Sequence, residues 1–343
     1  MYVRNKFTQS ANFDFNSFFK DVQTAVIGLN EILDEGMPYH PLKEQSDTAR
    51  DLRQIGLGIM GYGDMLIMLG LEYGTQEAID FTEKIAETLS NSALQQSAIL
   101  AKEFGVFPRY KEEHILKSKY LKAVANKDTL EMIAKFGLRN SQILTSAPTG
   151  SLSTMWGITG GIEPIYQISY SRKTETLNNG GETFYRVFTP IAREYMQLNN
   201  IKDEKDLPYF FKTAMTLDWR KRIDTQSIWQ KYIDASISST VNLHENVSIE
   251  EIKQLYIYAW KKKLKGITVF RDGCERAGIL SSNHTQQKET KDMSIDELQD
   301  LLSQKVVEKL LANPNVCPMC EGEFVHVGGC SECLDCGYSP CSI

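Results

Sequence analysis

Gln142-Ile-Leu-Thr-Ser-Ala-Pro-Thr-Gly-Ser-Leu-Ser153 carries two signals in one stretch. Residues 142–146 are few and rich in branched side chains, which favours a strand. The residues after them hold a proline, a glycine and the hydroxyls of Thr149, Ser151 and Ser153, which favours a turn opening a helix. Pro148 fixes φ and lacks an N–H, and Gly150 lets another group approach the backbone closely. Successive N–H groups without partners at a helix start form an anion site. Ala147, Pro148, Thr149, Gly150, Ser151, Leu152 and Ser153 are therefore candidate phosphate-binding residues. An ordinary capped turn accounts for the same residues equally well. A second glycine-rich bend follows, from Gly157 through Gly161 into Ile162-Glu-Pro164.

Outward from this stretch, strand patterns recur at 165–170, 235–243 and 266–270, the last after a helical pattern over 249–263. Strands separated by helices imply parallel α/β units. The first 135 residues read as helical. Phe18, Val22, Val26, Leu29 and Leu33 recur at helical spacing until Gly36 and Pro38. Further helices are expected over 47–71 and 75–104, with one or two short ones in 111–136. Ala86, Ser90, Ser92 and Ala93 are small enough for close packing in the 75–104 helix, which Gly105 caps. Gly56-Leu-Gly-Ile-Met-Gly61 matches a dinucleotide-binding pattern, but no strand precedes it and no acidic ribose partner follows in a strand. Small residues that let helices approach closely are the better reading.

The 343 residues are 42% hydrophobic and 24% charged, ordinary values for a soluble globular protein. No apolar run approaches the ~20 residues that span a bilayer, and Met1 to Phe7 has no signal-peptide core. A cytoplasmic protein without a membrane partner is expected. Net charge is −6, and residues 313–343 contain no Lys or Arg while Glu321, Glu323, Glu332 and Asp335 are acidic. Nucleic acid is therefore not an expected partner. Residues 281–292 are polar and read as a linker. Ser294 to Glu297 is a capping box, and Ile295, Leu298, Leu302, Val306 and Leu310 form the apolar stripe of a packing helix.

Six of the seven cysteines are Cys317, Cys320, Cys330, Cys333, Cys336 and Cys341. Cys317-Pro-Met-Cys320 and Cys330-Ser-Glu-Cys333 are two C-x-x-C knuckles, which together complete a tetrahedral four-thiolate zinc shell. The spacing equally allows zinc on Cys317, Cys320, Cys333 and Cys336, with Cys330 and Cys341 spare. A cysteine pair on a chain end can reach another site and exchange disulfides. Cys336 and Cys341 have that position.

Arg53-Gln-Ile-Gly-Leu-Gly-Ile-Met-Gly61, Ala147-Pro-Thr-Gly-Ser151, Gly161-Ile-Glu-Pro164, Val241-Asn-Leu243 and Lys265-Gly-Ile-Thr-Val-Phe-Arg-Asp-Gly273 together resemble the large-subunit family of ribonucleotide reductases. The likeness runs from about Phe13 to the end. The final Cys-x4-Cys resembles the family's redox pair, which makes Cys336 and Cys341 the expected catalytic dithiol. Cys317, Cys320, Cys330 and Cys333 are then the expected zinc ligands. Members fed by a radical subunit carry a Tyr-Tyr pair where this chain has Ile267-Thr-Val-Phe270. That difference and the cysteine-rich tail resemble the adenosylcobalamin-dependent class.

The resemblance implies an α/β fold: the C-terminal part of a ten-stranded α/β barrel with a helical N-terminal portion, plus a small zinc-ribbon-like module. The expected division is barrel over 1–280, linker and helix over 281–312, and zinc and redox module over 313–343. The implied activity is reduction of a ribonucleotide to the deoxyribonucleotide, with adenosylcobalamin and Zn2+ as cofactors. The family's N-x-C-x-E loop, which bears the thiyl-radical cysteine, does not occur in the sequence. A separately encoded N-terminal half bearing it is an expected partner. The others are the ribonucleotide and a thioredoxin or glutaredoxin-like donor.

Overall fold

The computed structural model describes residues 2–174, 183–274, 317, 324–327 and 330–333. The expected linker and amphipathic helix of 281–312 lie outside these residues, as do Cys320, Cys336 and Cys341. The chain divides into two units, 1–282 and 283–343.

The first unit begins with a short antiparallel pair, β1 (Val3–Arg4) and β2 (Asn12–Phe13). Helix α1 (Phe15–Gly36) follows, with the Asp14 carboxylate accepting the Ser17 N–H at its start. It buries Phe18, Val22 and Val26, the face that the helical spacing marks. The expected helix over 47–71 is two helices with extended chain between them, α2 (Lys43–Leu52) and α3 (Tyr62–Leu69). Left-handed residues break it: Arg53 at φ 47° ends α2 and Gly61 at φ 78° starts α3. Helix α4 (Gln76–Phe104) runs between its Thr75 cap and Gly105. Ala86, Ser90, Ser92 and Ala93 are all fully buried along it. Ser92 Oγ donates to the Phe19 carbonyl of α1 at 2.6 Å, an approach a larger side chain would block. Three short helices, α5 (Glu112–Leu116), α6 (Lys119–Val124) and α7 (Lys127–Phe136), complete this layer.

The rest of the first unit carries the parallel segments. Residues 142–146 lead into α8 (Gly150–Trp156). An antiparallel hairpin, β3 (Ser169–Thr174) and β4 (Thr183–Phe188), precedes α9 (Pro190–Leu198) and α10 (Trp219–Tyr232). Strand β5 (Thr240–Leu243), helix α11 (Ile249–Lys261) and strand β6 (Thr268–Arg271) form a parallel unit, with Thr240 opposite Thr268 and Leu243 opposite Arg271. Isolated parallel bridges join Leu57 to Leu144 and Ser146 to Ile237. The segments thus lie side by side in the order 55–57, 142–146, 235–243, 268–271.

The fold is α/β as expected, but the described residues are mostly helical and close no barrel. The segments at 55–57 and 268–271 have one strand neighbour each among the described residues, so the array is open at both sides. Gly56 and Gly58 face Thr145: a Cβ on Gly56 would meet Thr145 Cγ2 at 2.9 Å, and one on Gly58 would strike the Thr145 carbonyl oxygen. These glycines do permit close approach, but between two extended segments rather than two helices.

In the second unit, β7 (Phe324–Val327) and β8 (Cys330–Cys333) form an antiparallel hairpin, Phe324 opposite Cys333 and Val327 opposite Cys330. No group of three or more metal-ligating side chains occurs among the described residues. The expected zinc-ribbon module is thus represented by its hairpin alone. No helix among the described residues is long and apolar enough to cross a membrane.

Candidate functional site

The loop between 142–146 and α8 is positioned from below. Asp234 holds the strand segment, its carboxylate accepting the Ile143 and Leu144 N–H groups at 2.8 Å each. Burial pushes the Asp234 carboxyl above its usual range, against the pull of those two donors. Ser146 then bonds the neighbouring segment through its backbone, with Ser238 N–H donating to its carbonyl at 2.8 Å.

Thr149 is the pivot. It takes φ 51°, a left-handed conformation that costs a non-glycine residue about 1 kcal/mol or more. Its Oγ1 accepts the Gly161 N–H at 3.0 Å, and its carbonyl accepts the Ser153 N–H at 2.8 Å. The next three N–H groups, of Gly150, Ser151 and Leu152, find no acceptor among the described residues. Ser146 Oγ, in a residue 2% exposed, also lacks a partner. A Cβ built on Gly161 would come within 3.3 Å of that hydroxyl and of the Ala147 carbonyl oxygen. A Cβ on Gly150 would meet nothing within 4 Å, so the space over that residue is open.

The loop of 147–153 and the bend of 157–164 are thus one assembly, joined at Thr149 and Gly161. The bend is fixed from three elements. Asp64 on α3 is buried and accepts the Thr159 N–H at 2.7 Å. Burial raises its pKa, with the Thr159 bond opposing. From α10, Arg222, 3% exposed, donates to the Ile162 carbonyl at 2.9 Å, to the Tyr73 hydroxyl and to the Glu163 carboxylate. Tyr73 in turn donates to the same Ile162 carbonyl at 2.8 Å, and burial pushes its pKa up to about 12, so it keeps its proton at neutral pH. Glu163 also accepts the Thr240 N–H at 3.1 Å, tying the bend to β5. Burial raises the Glu163 pKa, with the Arg222 charge pulling the other way.

Sequence reasoning placed Glu163 in the second glycine-rich bend without giving it a role, and did not single out Arg222, Tyr73 or Asp64. A signal for Arg222 existed. It shares a helix face with Trp219, Ile223, Gln226 and Trp229, all buried, and an arginine on such a stripe needs a partner.

In the tail, Cys317 and Cys333 are both buried, at 0% and 1% exposure. Cys330–Cys333 is extended strand, whereas a C-x-x-C knuckle is a turn. The two best-formed clefts among the described residues each hold about one water molecule. Neither has room for a corrin ring.

Comparison with known proteins gives the family. The profile described as "Ribonucleotide reductase, barrel domain" matches residues 2–270. A vitamin B12-dependent ribonucleoside-diphosphate reductase of Mycobacterium tuberculosis is 29% identical, over 75% of this chain and 36% of its own length. The enzyme of the same name from Thermoplasma acidophilum is 28% identical, over 83% of this chain and 36% of its own. A ribonucleoside-diphosphate reductase subunit alpha of Chlamydia muridarum is 28% identical, over 74% of this chain and 27% of its own. The chain spans about a third of the length of these relatives. With the barrel-domain profile covering most of its residues, the chain belongs to the ribonucleotide reductase barrel-domain family.

Proposed function

We propose that this chain is the substrate-binding part of a B12-dependent ribonucleoside-diphosphate reductase. One observation carries the reading: the loop of 147–153 presents three N–H groups without acceptors among the described residues, and the buried Ser146 hydroxyl before it also finds no partner there. Oriented N–H groups suit the oxygens of a diphosphate. Ala147 to Ser153 hold the substrate phosphates, and the bend of 157–164 holds the loop. The reaction removes the 2′ hydroxyl of the ribose as water, and a cysteine pair gives up two electrons to become a disulfide. In the assembled enzyme adenosylcobalamin would be the radical source, in keeping with the vitamin B12-dependent relatives.

The thiyl-radical cysteine belongs to the rest of the enzyme, the N-terminal half. An exposed apolar face on α8, made by Leu152, Met155 and Trp156, supports a covering partner at this site. Cys336 and Cys341 re-reduce the active-site disulfide and are themselves reduced by a thioredoxin or glutaredoxin-like donor, in a reducing cytoplasm. Zinc holds the base of the tail through Cys317, Cys320, Cys330 and Cys333. The two buried thiols, Cys317 and Cys333, suit a thiolate-preferring ion and serve in both partitions.

Two experiments test this. A Cβ at Gly150 meets no protein atom within 4 Å, so the cost of Gly150→Val is expected to fall on a ligand. In the assembled enzyme it should weaken ribonucleoside-diphosphate binding by about 2 kcal/mol, the scale of a lost charge-assisted hydrogen bond. Unchanged affinity would move the phosphate site elsewhere. For the tail, the Cys336→Ser/Cys341→Ser enzyme should stall after about one turnover with thioredoxin yet continue with a small dithiol. Zinc retained in that variant supports Cys330 and Cys333 as ligands; zinc lost supports Cys333 and Cys336. Full turnover with thioredoxin would show that the tail is not the shuttle.

A further inference from the structure

We propose that Arg222, on α10, is a positioning residue for the phosphate loop, acting through the bend of 157–164 and Thr149. The proposal rests on reading 147–153 as the phosphate site.

The argument follows the bonds. Arg222 is almost wholly buried, yet it neither lies in the loop nor faces it. Its fork spans the Ile162 carbonyl, the Tyr73 hydroxyl and the Glu163 carboxylate. Glu163 extends the same link to the Thr240 N–H, so α10, the bend and β5 are joined through one guanidinium. One residue before Ile162, Gly161 gives its N–H to Thr149 Oγ1 at 3.0 Å. That bond holds Thr149 at φ 51°, and the turn there leaves the next three N–H groups without acceptors among the described residues. A strained residue keeps its conformation only where its surroundings over-determine it. Asp64 fixes the near side of the bend at Thr159, and Arg222 fixes its far side at 162–163. Without Arg222, Gly161 loses its anchor on one side and Thr149 can relax toward ordinary φ.

Lysine cannot replace this arrangement. Its single ammonium is a point charge that cannot span three partners in fixed directions. Loss of the fork should therefore disorder the N–H groups without changing the loop's composition.

The test compares two ligands, a ribonucleoside diphosphate and its parent ribonucleoside, by their Kd on the purified chain and on Arg222→Lys. The expected result is a loss of about tenfold for the diphosphate, with the ribonucleoside within about twofold. Ile223→Ala is the matched control. It empties a fully buried position on the same helix, and that side chain has no polar link to the bend. It should lower the thermal midpoint at least as much as Arg222→Lys while leaving the diphosphate-to-nucleoside ratio unchanged. If Ile223→Ala shifts that ratio as Arg222→Lys does, Arg222 is a stability residue and the proposal is overturned. Should Arg222→Lys fail to fold, Glu163→Gln removes the same charge pairing while keeping an acceptor for the Thr240 N–H, and must show the same selective loss. Gly150→Val in the same assay separates the levels. Diphosphate affinity lost there but kept in Arg222→Lys overturns the positioning role alone. Affinity kept in Gly150→Val, or no diphosphate binding by the unmodified chain, overturns the loop reading and this proposal with it.

Discussion

Two buried arginines, Arg53 and Arg222, do similar chemistry in different parts of the molecule. Arg53, 4% exposed, ends α2 and donates to Asp34 and to Asn30 Oδ1. Asn30 and Asn140 exchange amide bonds at 3.2 and 2.9 Å, and Asn140 also donates to the Arg53 carbonyl and accepts from Ser97 Oγ. Every amide of Asn30 and Asn140 is matched there, and the result is a joint between α1, α4 and the extended segments. Arg222 is as buried, but the bend it fixes borders a loop whose N–H groups and Ser146 hydroxyl are unmatched. Each arginine keeps a buried Nε without a partner among the described residues, so the difference between joint and site lies in the neighbouring loop, whose unmatched N–H groups and hydroxyl cost free energy that a ligand can recover.

The largest effect should come from Arg222→Ala. It strands a half-buried Glu163 carboxylate and should cost about 3 kcal/mol of stability in denaturant unfolding, the low end for a broken buried pair. Asn140→Ala should cost about 2 kcal/mol by unsatisfying its neighbours, yet leave diphosphate affinity unchanged. Equal affinity losses in the two would erase the distinction between joint and site. Thr149→Gly sharpens it further. Relief of the left-handed strain, about 1 kcal/mol, offsets the lost acceptor for Gly161, about 1 kcal/mol, so stability should stay within about 1 kcal/mol. Diphosphate affinity should nevertheless fall, since the N–H groups lose their fixed aim.

The smallest effect concerns pH. Burial raises the Asp64 carboxyl in the folded chain, so protonating it favours the folded state. That contribution is complete below the unfolded carboxylate pKa and is lost as pH rises through the raised folded value. The stability of the parent relative to Asp64→Asn should therefore increase as pH falls from neutral into the weakly acid range. A parent that loses ground in acid relative to Asp64→Asn would mean the carboxylate is stabilised as an anion at Thr159.

Much of this was legible in the residues. Apolar spacing marked the buried face of α1 and Gly105 marked the end of α4, and the helical pattern over 249–263 matched α11. The loop of 147–153 announced itself by its turn chemistry. The segment after Arg53 was misread because its glycines drew attention from Ile55, Leu57 and Ile59, which alternate as a strand does. Helix α10 was missed because Arg222, Gln226 and Gln230 occupy its buried face and interrupt the apolar stripe. Those polar residues make sense only once the carbonyls of 162, 233, 235 and 266 stand opposite them. Such partners are distant in sequence, so local pattern cannot supply them.

The central claim is that the N–H groups of Gly150, Ser151 and Leu152 receive a diphosphate. Amide NMR of the chain titrated with inorganic pyrophosphate tests it most directly. These three resonances and that of Gly161 should shift together with one binding constant, and the shifts should vanish in Gly150→Val. Pyrophosphate shifts confined to other amides, with 150–152 unmoved, would contradict the account.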